Sequence, residues 1–356
     1  MNWITFSLVF LGLTFQLTNG DTQCPIIPSN PSDRRLDKST FRLMQYNVEW
    51  LFTDYYSNAK CPGSGCPWSN SSEASTHMDW VSKVIDELQP DYVNLCEVEG
   101  CDELNELVKT LGSGSNSGYN PYLIKGTDSS TGQNVGLITR IDPVVNLYRD
   151  ETRYTYPIPG SKCGYTGAEG TLLENSTNFL NGQSESTSGV SKHYITELKI
   201  NGFNIAVIGL HLLAYPTDPT RCAEREAQAM IAQKNIYKYL GLGYEVIALG
   251  DLNDFDGQVL DSNNSVPISQ VLEILKCGGQ LVTTTTWISQ ETRFTNWWDK
   301  DGSCVSTPNE FSMIDHILVT PGLASKVKGA FVYHGYEEFC GTYNSDHYPV
   351  IVDFEF

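Results

Sequence analysis

A series of short apolar runs in this chain ends on side chains that bind cations or move protons, and this pattern restricts the fold more than any other feature. The runs close at Tyr46-Asn47-Val48-Glu49, Leu95-Cys96-Glu97, Gly209-Leu210-His211, Leu249-Gly250-Asp251-Leu252-Asn253 and Ile314-Asp315-His316. A further group, Ser345-Asp346-His347, opens the run Tyr348-Pro349-Val350. Side chains at the end of a buried strand reach the edge of a sheet, where they meet others delivered by neighbouring strands. Asn, Glu, His and Asp placed that way point to one acidic, metal-binding site assembled from many strand ends.

From Phe41 onward, apolar stretches alternate with polar loops. Strands are expected at Phe41–Asn47, Tyr92–Glu97, Asn134–Arg140, Val144–Tyr148, His193–Ile200, Phe203–His211, Tyr244–Leu249, Met313–Thr320, Ala330–Tyr333 and Tyr348–Phe354. Several are nearly continuous in Val, Ile and Leu, which implies burial on both faces. Helices are expected at Ser75–Leu88, Asp102–Leu111, Arg221–Leu240 and Ile268–Leu275. Strands with helices between them make an α/β chain whose sheets are covered by helices. The 356 residues suit one large domain or two small ones. No repeat or linker divides them, so one domain is expected over 40–356.

Residues 1–20 read as a secretory signal. Phe6 to Leu17 is apolar but too short to span a bilayer, and Thr18-Asn19-Gly20 follows. Residues 21–39 then form an N-terminal arm, pinned by Cys24. Ten cysteines behind such a leader favour disulfides. Cys61 with Cys66, Cys96 with Cys101 and Cys277 with Cys304 are candidate pairs, although spacing leaves the connectivity open. Sequons at Asn70, Asn175 and Asn263 fit an extracellular glycoprotein, with the lysosomal or endosomal lumen as the alternative. The long loops 58–72 and 156–191 are each either functional or mobile. The formal net charge of −19 argues against broad electrostatic capture of nucleic acid. It does not exclude chemistry on phosphate, because divalent ions reverse the local field.

Each candidate side chain has a bland reading beside the chemical one. Asn47 suits holding a carboxylate or a metal-bound water, or an Asx-turn. Asp251 and Asn253, two apart, face the same way in extended chain and could orient water and a phosphate oxygen, or form a polar turn. His211 ends an almost wholly apolar strand. Adjacent residues in a strand point to opposite faces, so Asp315 is expected to pair with His347 and not with His316, leaving Asp346 for a metal. Arg140 and Lys192 are among the few cations near these groups. Trp297 and Trp298 would serve either as core or as stacking surfaces. No G-x-S-x-G, H-E-x-x-H or G-x-x-x-x-G-K motif is present to suggest another chemistry.

With these residues in place, the chain resembles the endonuclease/exonuclease/phosphatase, or deoxyribonuclease I-like, family. Asn47, Glu97, His211, Asp251, Asn253, Asp315, Asp346 and His347 stand in that family's order, and Gly250-Asp251-Leu252-Asn253 and Ser345-Asp346-His347-Tyr348-Pro349-Val350 carry its most specific signatures. The resemblance implies a four-layer α/β sandwich, two mixed β-sheets packed face to face with helices on the outer faces and the site at one end. It also implies a Mg²⁺ cofactor, with Mn²⁺ as the alternative, held by Glu97 with Asn47 and Asp346 in or near its shell. Asp251 and Asn253 would orient water and the scissile phosphate. His347, held by Asp315, would act as a base or bind a phosphate oxygen, and His211 would protonate the leaving oxygen.

Two positions depart from deoxyribonuclease I. That enzyme carries a groove-binding Arg two residues after the metal Glu, where this chain has Glu99, and a carboxylate near the position of Gln133. The expectation is therefore a secreted metal-dependent phosphodiesterase cleaving DNA or RNA, with unpaired or short substrates handled better than duplex. Arg140 and Lys192 would meet the phosphates. A non-nucleic phosphoester, as in sphingomyelinase-like or phosphatase branches, is the second reading. A binding glycoprotein that lost catalysis is the third, and the intact residue set argues against it. A monomer without stable membrane insertion is expected.

Overall fold

The structure, a computed structural model, describes residues 24, 26–53, 61, 65–112, 118–163, 186–336 and 344–356. The expected signal at 1–20 and the sequon at Asn175 lie outside the described residues, as do most of the loop 156–191 and part of the loop 58–72.

In chain order the strands are β1 (Thr40–Leu51), β2 (Tyr92–Val98), β3 (Asn120–Leu123), β4 (Asn134–Thr139), β5 (Tyr154–Tyr156), β6 (Ser186–Ser188), β7 (Lys192–Ile200), β8 (Phe203–His211) and β9 (Glu245–Asp251). Then follow β10 (Val282–Thr283), β11 (Asn296–Trp297), β12 (Phe311–Ser312), β13 (Asp315–Val319), β14 (Val327–Val332) and β15 (Val350–Glu355). The helices are α1 (Ser71–Leu88), α2 (Cys101–Leu111), α3 (Pro219–Gly241), α4 (Val271–Leu275) and α5 (Pro321–Ala324). One sheet has the order β14-β15-β1-β2-β4-β3 and the other β10-β13-β9-β8-β7. Both are mixed: β1 and β2 run parallel, as do β8 and β9, and the remaining pairs are antiparallel.

Alternation along each strand builds the layers. Leu43 of β1, Tyr92 of β2, Val207 of β8, Leu249 of β9 and Ile317 of β13 meet in the core between the two sheets. Their neighbours Met44 and Val93 turn outward onto Met78 and Val81 of α1 and Leu104 and Leu107 of α2. On the other side, Ile208, Ala248 and Leu318 turn onto Ile231 and Ile236 of α3 and Leu275 of α4. Helix, sheet, sheet and helix thus stack as the α/β sandwich expected. Burial of each large aliphatic side chain contributes about 1.5–3 kcal/mol.

Helix α1 begins four residues earlier than the apolar pattern indicates. Asn70 caps it by accepting from Glu73 N at 3.0 Å, and Glu73 Oε2 accepts from Ser69 N at 2.8 Å. This reciprocal cap satisfies N–H groups that a helix leaves open. The expected strand at Val144–Tyr148 is absent. The segment meets β7 only at its two ends, where Val144 N donates to Glu197 O at 2.8 Å and Tyr148 bridges to Ile195, so no continuous ladder forms. The short edge strand β3 has no counterpart in the sequence reading, since Pro121 weakens its pattern.

Cys61–Cys66 is bonded as expected. The other candidate pairs are not: Cys24 joins Cys101, Cys163 joins Cys222, and Cys96 and Cys277 are free and buried. Cys304 is also disulfide-bonded. Proximity in sequence misleads at Cys96 because it lies in β2 facing the inter-sheet core, whereas Cys101 opens α2 on the outer layer. The Cys24–Cys101 link pins the N-terminal arm, which Arg34 also ties to Asp142 at 2.7 Å. No helix of the described residues is long and apolar enough to cross a membrane.

Candidate active site

Neighbouring strands of the second sheet deliver a level row of polar groups. Lys192 of β7 pairs with His211 of β8, His211 with Asp251 of β9, and Asp251 with Asp315 of β13. Each occupies the inward parity of its strand, so the row lines the inner face at one end of the sandwich. Gly250 makes the close approach of β8 and β9 feasible. Its φ is +152°, and a Cβ there would lie 1.8 Å from Leu210 O. The first sheet adds Gln45 and Asn47 from β1 and Glu97 from β2.

Strict alternation would turn Glu97 outward with Val93 and Leu95, toward α1 and α2. The structure corrects this. Register shifts fall between Cys96 and Val98 and between Asn47 and Leu51, and Glu49, Trp50 and Glu97 have φ of 47°, 52° and 67°. An irregular ladder of this kind re-aims a side chain, and left-handed non-glycine residues concentrate at functional sites. Glu97 consequently faces inward. Its Oε1 accepts from Asn47 Nδ2 at 3.2 Å, and its Oε2 accepts from Gln133 Nε2 at 2.7 Å and Trp50 N at 3.2 Å. Asn47 Nδ2 also donates to Asp251 Oδ2 at 3.0 Å, so one amide joins carboxylates from both sheets.

The segment 344–347 closes the site from above. Ser345 Oγ donates to Asn47 O at 2.7 Å, and Asp346 N donates to Glu49 Oε2 at 3.0 Å. His347 Nδ1 then lies 2.7 Å from Asp315 Oδ2. His316, on the opposite parity, instead has Nε2 2.9 Å from Asp254 O. The pairing expected from alternation is therefore present. Asp346 Oδ1 is 3.9 Å from His347 Nε2, and His211 Nε2 is 3.5 Å from Asp251 Oδ2. Asn253 N donates to Asp251 Oδ1 at 3.0 Å and its Nδ2 to Leu212 O at 3.2 Å.

Carboxylates crowd one another here. Burial and Asp315 push the Asp251 carboxyl up to about 7, against the opposing pull of His347 and Asn47. Asp346, at the cleft mouth with 35% of its side chain exposed, is pushed to about 6 by surrounding protein atoms and by Glu97 and Asp315, with His347 opposing. Burial, then Asp346 and Glu97, hold Glu49 well above the carboxylate range. Burial opposes charge on His347, yet Asp315, Asp346 and Asp251 keep it well above the ordinary imidazole value. Burial, Lys192 and His347 hold His211 well below it. The surroundings thus favour the protonated ring at His347 and the neutral ring at His211, whose Nε2 lies 3.5 Å from Asp251 and 3.9 Å from Glu97 and whose Nδ1 has no partner among the described residues.

The donor set fits a hard divalent cation: mutually repelling carboxylate oxygens with few compensating cations. Glu97 and Asp346 face the cleft and are the candidate ligands. Asp251, Asp315 and His347 also bring ligand atoms within 4.8 Å of one another, but both Asp315 oxygens already accept, from Gln45 Nε2 at 3.0 Å and from His347. Asn47 Oδ1 accepts from Glu49 N at 3.0 Å, so this amide holds the carboxylates together in the arrangement seen.

Some expected residues lie elsewhere. Arg140 stands at the far end of the sheet, because antiparallel pairing of β2 and β4 sets Val98 beside Asn134 and Tyr92 beside Thr139. Its guanidinium lies 4.5 Å over Tyr119 and donates to Gln89 Oε1 at 2.6 Å. Lys192 is at the site, where Nζ donates to Gln133 Oε1 at 3.2 Å. Glu99 does not line the cleft, and its Oε2 is enclosed by protein. Trp297 is buried at 2% exposure while Trp298 is 60% exposed. Sequence reasoning left out Glu49 and Gln45. Gln45 carried a signal, being a polar residue on the inward parity of Phe41 and Leu43, and a buried polar group requires a partner.

A cleft of about 790 Å³ opens over this constellation. Glu97, His211, Asp251, Asn253, Asp346 and His347 are among its lining residues. Residues 44–347 match the profile of the Endonuclease/Exonuclease/phosphatase family. The chain belongs to that family. Its fold is similar to that of an endonuclease/exonuclease/phosphatase family protein from Leptotrichia buccalis, at 16% identity and TM-score 0.53, covering 89% of this chain and 100% of that one. A family protein from Bacteroides thetaiotaomicron is similar at 16% identity and TM-score 0.51, covering 92% and 99%. So is truncated TDP2 from Caenorhabditis elegans, at 15% and 0.51, covering 89% and 98%. No curated protein matches the sequence. Members of the endonuclease/exonuclease/phosphatase family hydrolyse phosphoester bonds, typically with a divalent metal.

Proposed function

We propose that this chain is a secreted, Mg²⁺-dependent phosphodiesterase that cleaves nucleic acid. The observation that carries the reading is the row Lys192, His211, Asp251 and Asp315, completed by His347 and faced by Glu97, from which His211, Asp251, His347 and Glu97 line an open cleft. A divalent cation at Glu97 and Asp346 would polarise a phosphoryl oxygen and offset negative charge. Asp251, raised to about 7, takes the proton of the attacking water, since a base works best with a pKa near the operating pH. Asn253 N and Asn47 Nδ2 fix that carboxylate from two sides. The His347 imidazolium donates to a phosphoryl oxygen while Asp315 fixes the ring; as the water oxygen bonds to phosphorus, the P–O bond to the leaving oxygen breaks, and that oxygen takes its proton from water in the open cleft. Neutral His211 offers a hydrogen bond, since its surroundings oppose the protonated form an acid would need. The bonded cysteine pairs fit an oxidising compartment and support the secreted reading.

The test is a screen on DNA, RNA, sphingomyelin and a generic phosphodiester, each with Mg²⁺ and with chelator. Chelator-sensitive cleavage of nucleic acid is expected. Release of phosphocholine or inorganic phosphate, with no nucleic acid cut, would transfer the same site to a non-nucleic phosphoester.

A further inference from the structure

Two exposed aromatic rings stand on the cleft outside the catalytic constellation. Both lining residues, Tyr215 and Trp298, are 56% and 60% exposed. Single exposed rings are ordinary on a protein surface; what sets these two apart is that both line the cleft that holds Glu97, His211, Asp251 and His347. Each already carries a cation on its face: Arg221 Cζ lies 4.6 Å from the centre of Tyr215, and Lys300 Nζ lies 5.7 Å from Trp298.

Both rings sit on prepared backbone. Trp298 follows β11, whose Trp297 N donates to Asp346 O at 3.0 Å and whose Asn296 bridges to His347. Trp298 N donates to Glu310 O at 3.0 Å, and Trp297 Nε1 donates to Glu310 Oε2 at 3.1 Å. The inward neighbour anchors the segment and the outward one faces the cleft. Tyr215 is four residues past His211 and holds φ of 70°, an unfavourable conformation for a bulky residue. Arg225, fully buried, fixes that loop by donating to the carbonyls of Leu213, Tyr215 and Pro216, and is itself held by Asp254 at 3.1 Å. The two platforms are thus tied to the two catalytic histidines.

We propose that Tyr215 and Trp298 form a stacking subsite for unpaired bases flanking the scissile phosphate, with Arg221 and Lys300 meeting adjacent backbone phosphates. The proposal rests on the nuclease reading and specifies its substrate as single-stranded nucleic acid. Stacking tolerates any base and requires a free ring face, which paired bases in a duplex do not offer. Arg221 and Lys300 add positive charge beside the rings in a chain of net −19, with Asp218 3.9 Å from Arg221 and the Asp299, Asp301 and Glu310 cluster beside Lys300 as the local counter-charge. The groove-facing repulsion expected of Glu99 is not needed, since that carboxylate lies off the cleft.

The experiment compares a single-stranded oligonucleotide, the same strand with abasic positions around one phosphate, and the matched duplex. Cleavage is measured in the full-length protein and in Trp298→Ala, Tyr215→Ala and Trp298→Phe. Binding is measured by fluorescence anisotropy in the Asp251→Asn background with Mg²⁺, with and without the same ring substitutions. Trp298→Ala and Tyr215→Ala are each expected to weaken binding and raise KM on the base-bearing strand by about tenfold to hundredfold. They should leave the abasic strand unchanged, and Trp298→Phe should recover most of the loss. Ring-dependent binding without cleavage would support the subsite and remove the nuclease reading. Equal handling of base-bearing and abasic strands, ring substitutions without effect, or preference for duplex would overturn the subsite while leaving hydrolysis intact. Neither binding nor cleavage of any strand would overturn both.

Discussion

Asp315 Oδ2 lies 2.7 Å from His347 Nδ1, and the pair joins a strand of the second sheet to the segment entering β15. Behind it, Gln45 Nε2 donates to the other Asp315 oxygen at 3.0 Å, and Asn94 Nδ2 donates to Gln45 Oε1. Asp315 is therefore oriented from both sides in a fully enclosed setting. Asp315→Asn should preserve the fold and lower kcat by about 10²–10⁴-fold, because both the orientation and the charge of the imidazole depend on it. Gln45→Leu should lower kcat by about tenfold and shift the His347 imidazole titration, followed by NMR. An unchanged titration in both variants would count against this arrangement.

Glu97 should prove essential for metal and dispensable for folding. Glu97→Ala is expected to abolish chelator-sensitive activity and calorimetric Mg²⁺ binding. Its metal-free melting temperature should equal or exceed that of the parent, because the substitution relieves crowding with Asp346 and Glu49. Retained Mg²⁺ affinity would place the ion elsewhere.

Stability of the metal-free protein should fall with rising pH through the site. Asp251 is raised from 3.8 to about 7, so between those values the unfolded chain has released a proton that the folded chain retains, and ionisation then favours unfolding. His347, also raised, adds stability below its unfolded value and loses it as pH climbs through its folded value. The lowered His211 works in the opposite direction near its unfolded value, so the clean measurement is a difference between variants. Asp251→Asn should stabilise the metal-free protein by about 1–3 kcal/mol at about pH 8 and negligibly at about pH 3. Saturating Mg²⁺ should shrink that gain. Urea denaturation across the pH range checks it.

Arg225 and Asp254 form an ion pair with both side chains at 0% exposure. Removing one member leaves an uncompensated buried charge, so Arg225→Ala should lose about 3–5 kcal/mol by chemical denaturation. The loop at Leu213 to Pro216 loses its donors in the same variant, and limited proteolysis should cut there first. A loss under about 1 kcal/mol would show that water or rearrangement replaces the guanidinium.

The sequence by itself determined the layers and most of the inner row. Period-two alternation in β1, β8, β9 and β13 sends Leu43, Val207, Leu249 and Ile317 to one core and Met44, Ile208, Ala248 and Leu318 to others. That same parity carries Asn47, His211, Asp251 and Asp315 to one end, and separates Asp315 from His316. Such information is local, because each residue's face follows from its neighbours.

Tertiary structure alone decided what depends on departures from that rule and on which strand lies beside which. Glu97 has the outward parity, yet irregular pairing and a left-handed backbone turn it inward. Arg140 is near Gln133 in sequence but at the opposite end of the sheet, since a short strand spans the layer from end to end. Glu49 became visible as a site group only through Asp346, and the partner that Gln45 needs, Asp315, comes from far along the chain. Cys96 and Cys101 are close in sequence but lie in different layers, and Trp297 and Trp298 share a motif but not an environment. Local pattern fixes the face a side chain takes; only the assembled sheets fix its partners, because those contacts join distant segments.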